Sequence, residues 1–188
     1  MTGWQITPAA QFKAMPWRNG GGTTWEVARG TFPDAPQAEW HWRFSLAEIA
    51  SDGPFSVFPG IDRLLTVIAG QGIALTIDGA PPRRLHAGED IEFPGEAAIG
   101  CDLLGGPTRD LNLMVDRRVA RIVPGRDGRR LEAEAGLILL YAVEEVGLTI
   151  GTQTLRLDAG DAAIGRPAAA ADIIDGRAVW ARIERRSV

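Results

Sequence analysis

The stretch LTVIAGQGIALTIDG (Leu65–Gly79), followed by RRLHAGEDIEF (Arg83–Phe93), decides the fold. It reads as a buried strand, a Gly turn, an L-T-I strand, a hairpin turn and then Leu-x-Ala-Gly-acid. The same order returns in LLYAVEEVGLTIGTQTLRLDAGDAAI (Leu139–Ile164). There Leu157, Ala159 and Gly160 keep the register of Leu85, Ala87 and Gly88. An internal repeat of this kind points to a duplicated fold.

Working outward, the rest of the chain has the same texture. Twenty-three glycines and twelve prolines separate short alternating or β-branched runs. Strands are expected at Thr24–Ala28, Trp40–Ala47, Arg63–Ala69, Ile73–Asp78, Asp110–Val115, Leu137–Val143, Gly147–Ile150 and Ala178–Glu184. A short helix is expected at Ala9–Ala14, where Thr7 is a plausible cap and Pro8 a good first residue. The Ala-rich stretch Pro167–Ile174 fits either state. Strand, Gly turn, strand, hairpin and x-Ala-Gly-acid are also how the core of a cupin barrel reads. The expected class is therefore all-β: a cupin-like (RmlC-like jelly-roll) β-barrel with a duplicated second half, a bicupin. The halves are expected at residues 1–118 and 119–188, packed as one compact unit. Pro124–Arg130 (PGRDGRR) reads as an exposed turn and is the best candidate boundary between the halves.

Composition narrows the function. The 188 residues hold 20 Lys+Arg against 24 Asp+Glu, a net charge of -4. Nucleic-acid binders draw their affinity from a basic excess, which is missing here. Two histidines (His41, His86) and one cysteine (Cys101) cannot build a Cys-rich or three-His zinc site. A lone cysteine also excludes an intrachain disulfide framework. Two isolated histidines with a carboxylate leave a facial metal triad conceivable, but no spacing supports one. The first residues, MTGWQITPAAQFKAMPW, lack the apolar run of a signal peptide, and Ala135–Val143, the longest apolar run, is too short to span a bilayer. A cytoplasmic chain without metal, cofactor, nucleic-acid or membrane partner is expected. Exposed strand edges are compatible with a homodimer.

Strand parity selects candidate site residues, because side chains alternate faces. In Trp40–Ala47, Trp40, Trp42, Phe44 and Leu46 share an apolar face; His41, Arg43, Ser45 and Ala47 share the other. In Asp110–Val115, Leu111, Leu113 and Val115 oppose Asp110, Asn112 and Met114. A polar face of this kind meets solvent or lines a barrel cavity. Arg63 opens an apolar run, where its fork is placed to hold a carboxylate at a cavity mouth. Trp17–Glu26 (WRNGGGTTWE) carries three consecutive glycines, which mark unusual dihedrals or close backbone approach, yet lacks the spacing and lysine of a P-loop. Cys101 reads as a small core residue.

Three ordered motifs, WRNGGGTTWEVA (Trp17–Ala28), WRFSLAEIASDGPFSVFPGIDRLLTVIAGQGIALTI (Trp42–Ile77) and FPGEAAIGCDLLGGPTRDLNLMVDRR (Phe93–Arg118), resemble the HutD/Ves family. The resemblance implies a cupin-type β fold without the usual metal ligands. It also implies an accessory or regulatory protein of bacterial histidine utilisation that senses a small carboxylic acid such as N-formylglutamate. Trp25 departs from the pattern, which carries a smaller or charged residue there. Parity and resemblance together assign ligand binding to Asn19, Gly21, Thr23, Glu26, Arg43, Ser45, Arg63, Asp110 and Asn112. In that assignment Arg43 and Arg63 hold carboxylates, Asn19, Ser45 and Asn112 bond an amide or formyl group, and Glu26 and Asp110 orient the arginines or accept an N–H. Three other readings stay open: a metal-free isomerase or lyase with Glu26 or His41 as base, a Ves-like stress-associated protein without activity, and an interaction module.

Overall fold

Alternating runs broken by glycine and proline produce β structure nearly throughout the computed structural model. It describes residues 3–125, 129–132, 136–166 and 170–186. In chain order the first strands are β1 (Trp4–Thr7), β2 (Lys13–Pro16), β3 (Gly22–Gly30), β4 (Trp42–Ile49), β5 (Gly53–Pro54) and β6 (Ile61–Ala69). Next come β7 (Ile73–Ile77), β8 (Arg83–Leu85), β9 (Asp90–Pro94), β10 (Ile99–Leu103) and β11 (Thr108–Asp116). The remainder are β12 (Ala120–Pro124), β13 (Arg130–Leu131), β14 (Leu137–Ala142), β15 (Val146–Ile150), β16 (Gln153–Leu157), β17 (Ala162–Gly165), β18 (Ala171–Asp175) and β19 (Ala178–Arg185). The helix expected at Ala9–Ala14 is a single 3-10 turn, Ala9–Gln11. Lys13–Pro16 instead joins a sheet, because its backbone pairs with Thr23–Glu26 of β3. Residues 126–128 of the expected turn and 167–169 of the Ala-rich stretch lie outside the described residues. No helix of the described residues is long and apolar enough to cross a membrane.

The chain divides into two units, Lys13–Val119 and Met1–Phe12 with Ala120–Val188. The expected division put residues 1–118 in the first half. The first twelve residues instead go with the second, because β1 pairs with β17. The first unit has a six-stranded sheet, β2-β3-β4-β11-β6-β9, and a four-stranded sheet, β5-β10-β7-β8. Its core draws Ile49, Leu65, Val67, Ile91 and Phe93 from one sheet and Ile73, Leu75, Leu85, Ile99 and Cys101 from the other. Cys101 is thus the small core residue that its apolar context suggested.

The second unit has a five-stranded sheet, β1-β17-β14-β19-β12, and a four-stranded one, β13-β18-β15-β16. The order β12-β19-β14-β17 matches β4-β11-β6-β9, and the smaller sheets match strand for strand. The repeated Leu-x-Ala-Gly-acid segments form the same corner. The Gly88 N–H donates to Val67 O at 2.8 Å and the Val67 N–H to Glu89 O at 3.0 Å. In the second copy Gly160 donates to Ala142 O at 2.8 Å and Ala142 to Asp161 O at 2.9 Å. Gly88 and Gly160 have φ of +94° and +96°, so the corner requires glycine.

Candidate functional site

Register on the six-stranded sheet sets a polar grid. Met114 of β11 lies across from Arg43 of β4 and Arg63 of β6; Asn112 lies across from Ser45 and Leu65; Asp110 lies across from Ala47 and Val67. The Asp110 position depends on a bulge: Arg109 pairs with Ala69 and Asp110 with Val67, which leaves Ile68 as the extra residue. Below this grid lies a cavity of about 460 Å³ within the first unit. Arg43, Ser45, Arg63, Asp110, Asn112 and Met114 line it from the sheet, and Asn19 from the β2–β3 loop. That volume suits a small metabolite.

Arg63 is the centre of the polar lining. It is only 7% exposed, and arginines are rarely buried without partners. Its Nη2 donates to Asn112 Oδ1 at 2.6 Å, and Nη1 lies 3.5 Å from Ser56 O. Its guanidinium carbon sits 4.9 Å from the Phe93 ring centroid, 5.5 Å from Phe55 and 5.7 Å from Phe58. Aromatic faces attract such a cation while excluding water from it. The Nε is buried without a hydrogen-bond partner. Asn112 extends the chain, its Nδ2 donating to Asp110 Oδ1. Burial lowers the Arg63 pKa to about 10, opposed by the Asp110 charge and reinforced by Arg43. Burial likewise raises the Asp110 pKa to about 7, against the pull of Arg63 and the Asn112 hydrogen bond.

Arg43 is held from the other side. Its Nε donates to Glu26 Oε2 at 2.9 Å, and both side chains are mostly buried. Glu26 therefore orients Arg43 but does not itself line the cavity. Gly21 and Thr23 do not line it either. The Gly21 N–H donates to Asn19 Oδ1 at 3.0 Å, and Gly21 O accepts from Ala50 N–H at 2.8 Å. A Cβ at Gly22 would lie 2.2 Å from Glu48 O, so the glycine run serves close approach to β4. Thr23 spends its backbone pairing with Pro16 and Glu48.

His41 precedes β4 and departs from the face expected for it. Its ring stacks on Phe32 with centroids 5.9 Å apart, its Nδ1 accepts from the Phe32 N–H at 2.9 Å, and Nε2 donates to Pro36 O at 2.8 Å. It is a buried structural residue with both ring nitrogens engaged, which removes it as a base. Trp25 lies outside the cavity lining and takes the Arg109 guanidinium 6.0 Å from its ring centroid. Sequence reasoning missed Trp17, Thr24, Phe55, Ser56 and Phe58, which also line the cavity. Trp17 Nε1 donates to Thr24 Oγ1 at 2.8 Å. Thr24 lies two positions from Glu26 on the same face of β3, opposite Ala47 as Glu26 is opposite Ser45, and that alternation is its sequence signal. Among the described residues no cluster of His, Cys, Asp and Glu is arranged to hold a metal ion.

Known proteins are similar to this chain. A family model described as HutD matches residues 9–180. An uncharacterised 21.2 kDa protein in the hutC 3′ region of Pseudomonas putida is 39% identical over 140 residues, 73% of either chain. Protein Ves of Citrobacter koseri is 37% identical over 102 residues, 54% of this chain and 52% of Ves. HutD from Pseudomonas fluorescens SBW25, solved in a formate condition, superposes with a TM-score of 0.80 at 31% identity, covering 98% of this chain and 100% of that one. More distant structures share the fold alone. YlbA of Escherichia coli gives a TM-score of 0.69 at 10% identity, covering 100% of this chain and 94% of that one. Lactobacillus farciminis oxalate decarboxylase gives 0.60 at 9%, covering 97% and 86%. The architecture is all-β with cupin-like neighbours.

Proposed function

The chain belongs to the HutD family, and from that premise we propose that it is an accessory protein of histidine utilisation that binds a small carboxylic acid such as N-formylglutamate. The observation that carries this reading is Arg63: a guanidinium buried in a metabolite-sized cavity, backed by Asn112 and ringed by three phenylalanines. A fork held in one orientation matches a carboxylate with little further ordering. Arg43, fixed by Glu26, supplies a second cation on the same grid. Ser45 and the Asn19 amide offer polar contacts at the wall, while both ends of the Asn112 amide are engaged within the protein. The hutC-region relative and the HutD structure support the pathway. On this reading the two units are copies of one cupin-like half, supported by their matching strand orders and corners, and the ligand cavity belongs to the first. It acts in the cytoplasm on a soluble metabolite.

Thermal unfolding with N-formylglutamate, urocanate, formate and glutamate tests the reading. A ligand at 100 times its Kd adds about 2.7 kcal/mol of stability. Stabilisation by at least one of these acids, lost in Arg63→Met, is the expected result. No shift with any of them contradicts it.

A further inference from the structure

We propose that Asp110 is a proton site coupled to the ligand, so that a carboxylate seated on Arg63 enters the cavity together with one proton, which Asp110 takes up from solvent. This rests on the reading of the cavity as an acid site. The reason is charge balance. Arg43 already has the Glu26 carboxylate at 2.9 Å. Arg63 already has Asp110, connected to it by the Asn112 amide, and all three side chains are buried. The remaining arginine of the lining, Arg18, is exposed at the β2–β3 loop and leaves the interior balance unchanged.

A ligand carboxylate on Arg63 therefore makes two carboxylates share one buried guanidinium. Water screens such repulsion poorly in a low-dielectric site, and one member of the pair then holds a proton. The charged and titratable groups around Asp110 identify which one. Arg63 faces it from β6 and Cys101 from β10, while Arg43 of β4 lies opposite Met114 and acts on Arg63. Burial and neighbouring carboxylates push the Cys101 thiol up to about 12, so it stays neutral. Arg63, lowered to about 10, stays charged. Asp110, already raised to about 7, is the group that titrates in the working range. Asn112 fits either state: its Nδ2 donates to Oδ1 and leaves Oδ2 to carry the proton. No bond in the ligand is made or broken.

Linkage gives the sign. Below about pH 7 Asp110 is protonated before binding, and affinity is flat with pH. Above that, each pH unit weakens binding about tenfold until the bound-state value is passed. The test is calorimetric titration of formate, a single carboxylate, into the whole protein at pH 8, in HEPES and in Tris, which differ in heat of ionisation. The expected result is a buffer-dependent heat equal to uptake of close to one proton per ligand. In Asp110→Asn the two heats coincide, and affinity at pH 8 exceeds that of the native protein. Should that variant fail to fold, the carbon-13 titration of the native Asp110 carboxyl with and without formate replaces it. An upward move of about two pH units or more is expected, as uptake of close to one proton at pH 8 requires. Binding with equal heats in both buffers, or an unmoved titration, overturns the proton site and leaves the acid site standing. No heat from N-formylglutamate or formate at any pH from 6 to 8 overturns both.

Discussion

On the inner face of the first unit, Arg63, Asp110 and Asn112 stand where Ile138, Ala178 and Trp180 stand on the corresponding strands of the second. The correspondence follows from pairing. Val67 and Ala142 bond the equivalent corners, so Arg63 aligns with Ile138. Asn112 pairs with Leu65 as Trp180 pairs with Leu140, and Asp110 with Val67 as Ala178 with Ala142. Ile138 is 1% exposed, and Ala178 and Trp180 pack against the second core. Gly125, bonded to Trp180 O at 2.9 Å, makes room for the indole, since a Cβ there would lie 2.2 Å from its ring. Matching strand orders thus carry two different fillings at these positions. At these positions the second unit carries apolar side chains packed on its core, whereas the first holds paired charges along a cavity. Replacing such charges with apolar groups is often neutral or stabilising, so their presence in the first unit speaks for ligand recognition over stability.

Breaking the polar side should have the largest effect. Arg63→Met removes the buried guanidinium while keeping similar volume. Its binding of N-formylglutamate should weaken by about 2–5 kcal/mol, roughly 30-fold or more, measured by calorimetry with the fold intact by circular dichroism. Breaking the apolar side should do the converse. Ile138→Ala opens a cavity in the second core and should lower unfolding stability by about 2–5 kcal/mol in urea, with ligand affinity unchanged. The smallest effect is one of pH. The Asp110 pKa is raised above its unfolded value, so its contribution is fully present below about pH 4 and is lost as pH rises through about 7. The carboxylates of Glu96, Asp116 and Glu184 are lowered instead, so their contributions are lost only on the acid side of pH 4.5. Between pH 5 and 7 native stability should therefore fall by up to about 1.4 kcal/mol per unit, and Asp110→Asn should flatten that slope. An equal slope in both proteins would separate the pH dependence from Asp110.

The sequence exposes these two fillings unequally. Strands were legible because alternation and glycine turns are local signals, and the Leu-x-Ala-Gly-acid corner repeats with both glycines at positive φ. Parity found Arg43, Ser45, Asp110 and Asn112, since β4 and β11 run regularly across this face. Parity failed at His41, which lies before β4 and follows the Gly30–His41 connection. It was silent on Phe55, Ser56 and Phe58. These belong to the segment after β5, whose path is set by Phe55 N–H donating to Ile99 O and Phe58 N–H to Gly95 O, contacts some forty residues away in sequence. Gly21 and Thr23 lie outside the cavity lining for a related reason. A close backbone approach to β4 and a nest for a ligand leave the same glycine signature. Residues 3–12 join the second unit because the pairing of β1 with β17 spans almost the whole chain.

The central claim is that Arg63 holds a carboxylate inside the first unit, and a crystal structure of the protein soaked with N-formylglutamate tests it most directly. The account predicts one ligand carboxylate with its oxygens about 2.7–3.2 Å from the Arg63 guanidinium, and nothing in the second unit beside Ile138 and Trp180. A ligand bound elsewhere, with the cavity filled by water alone, would contradict it.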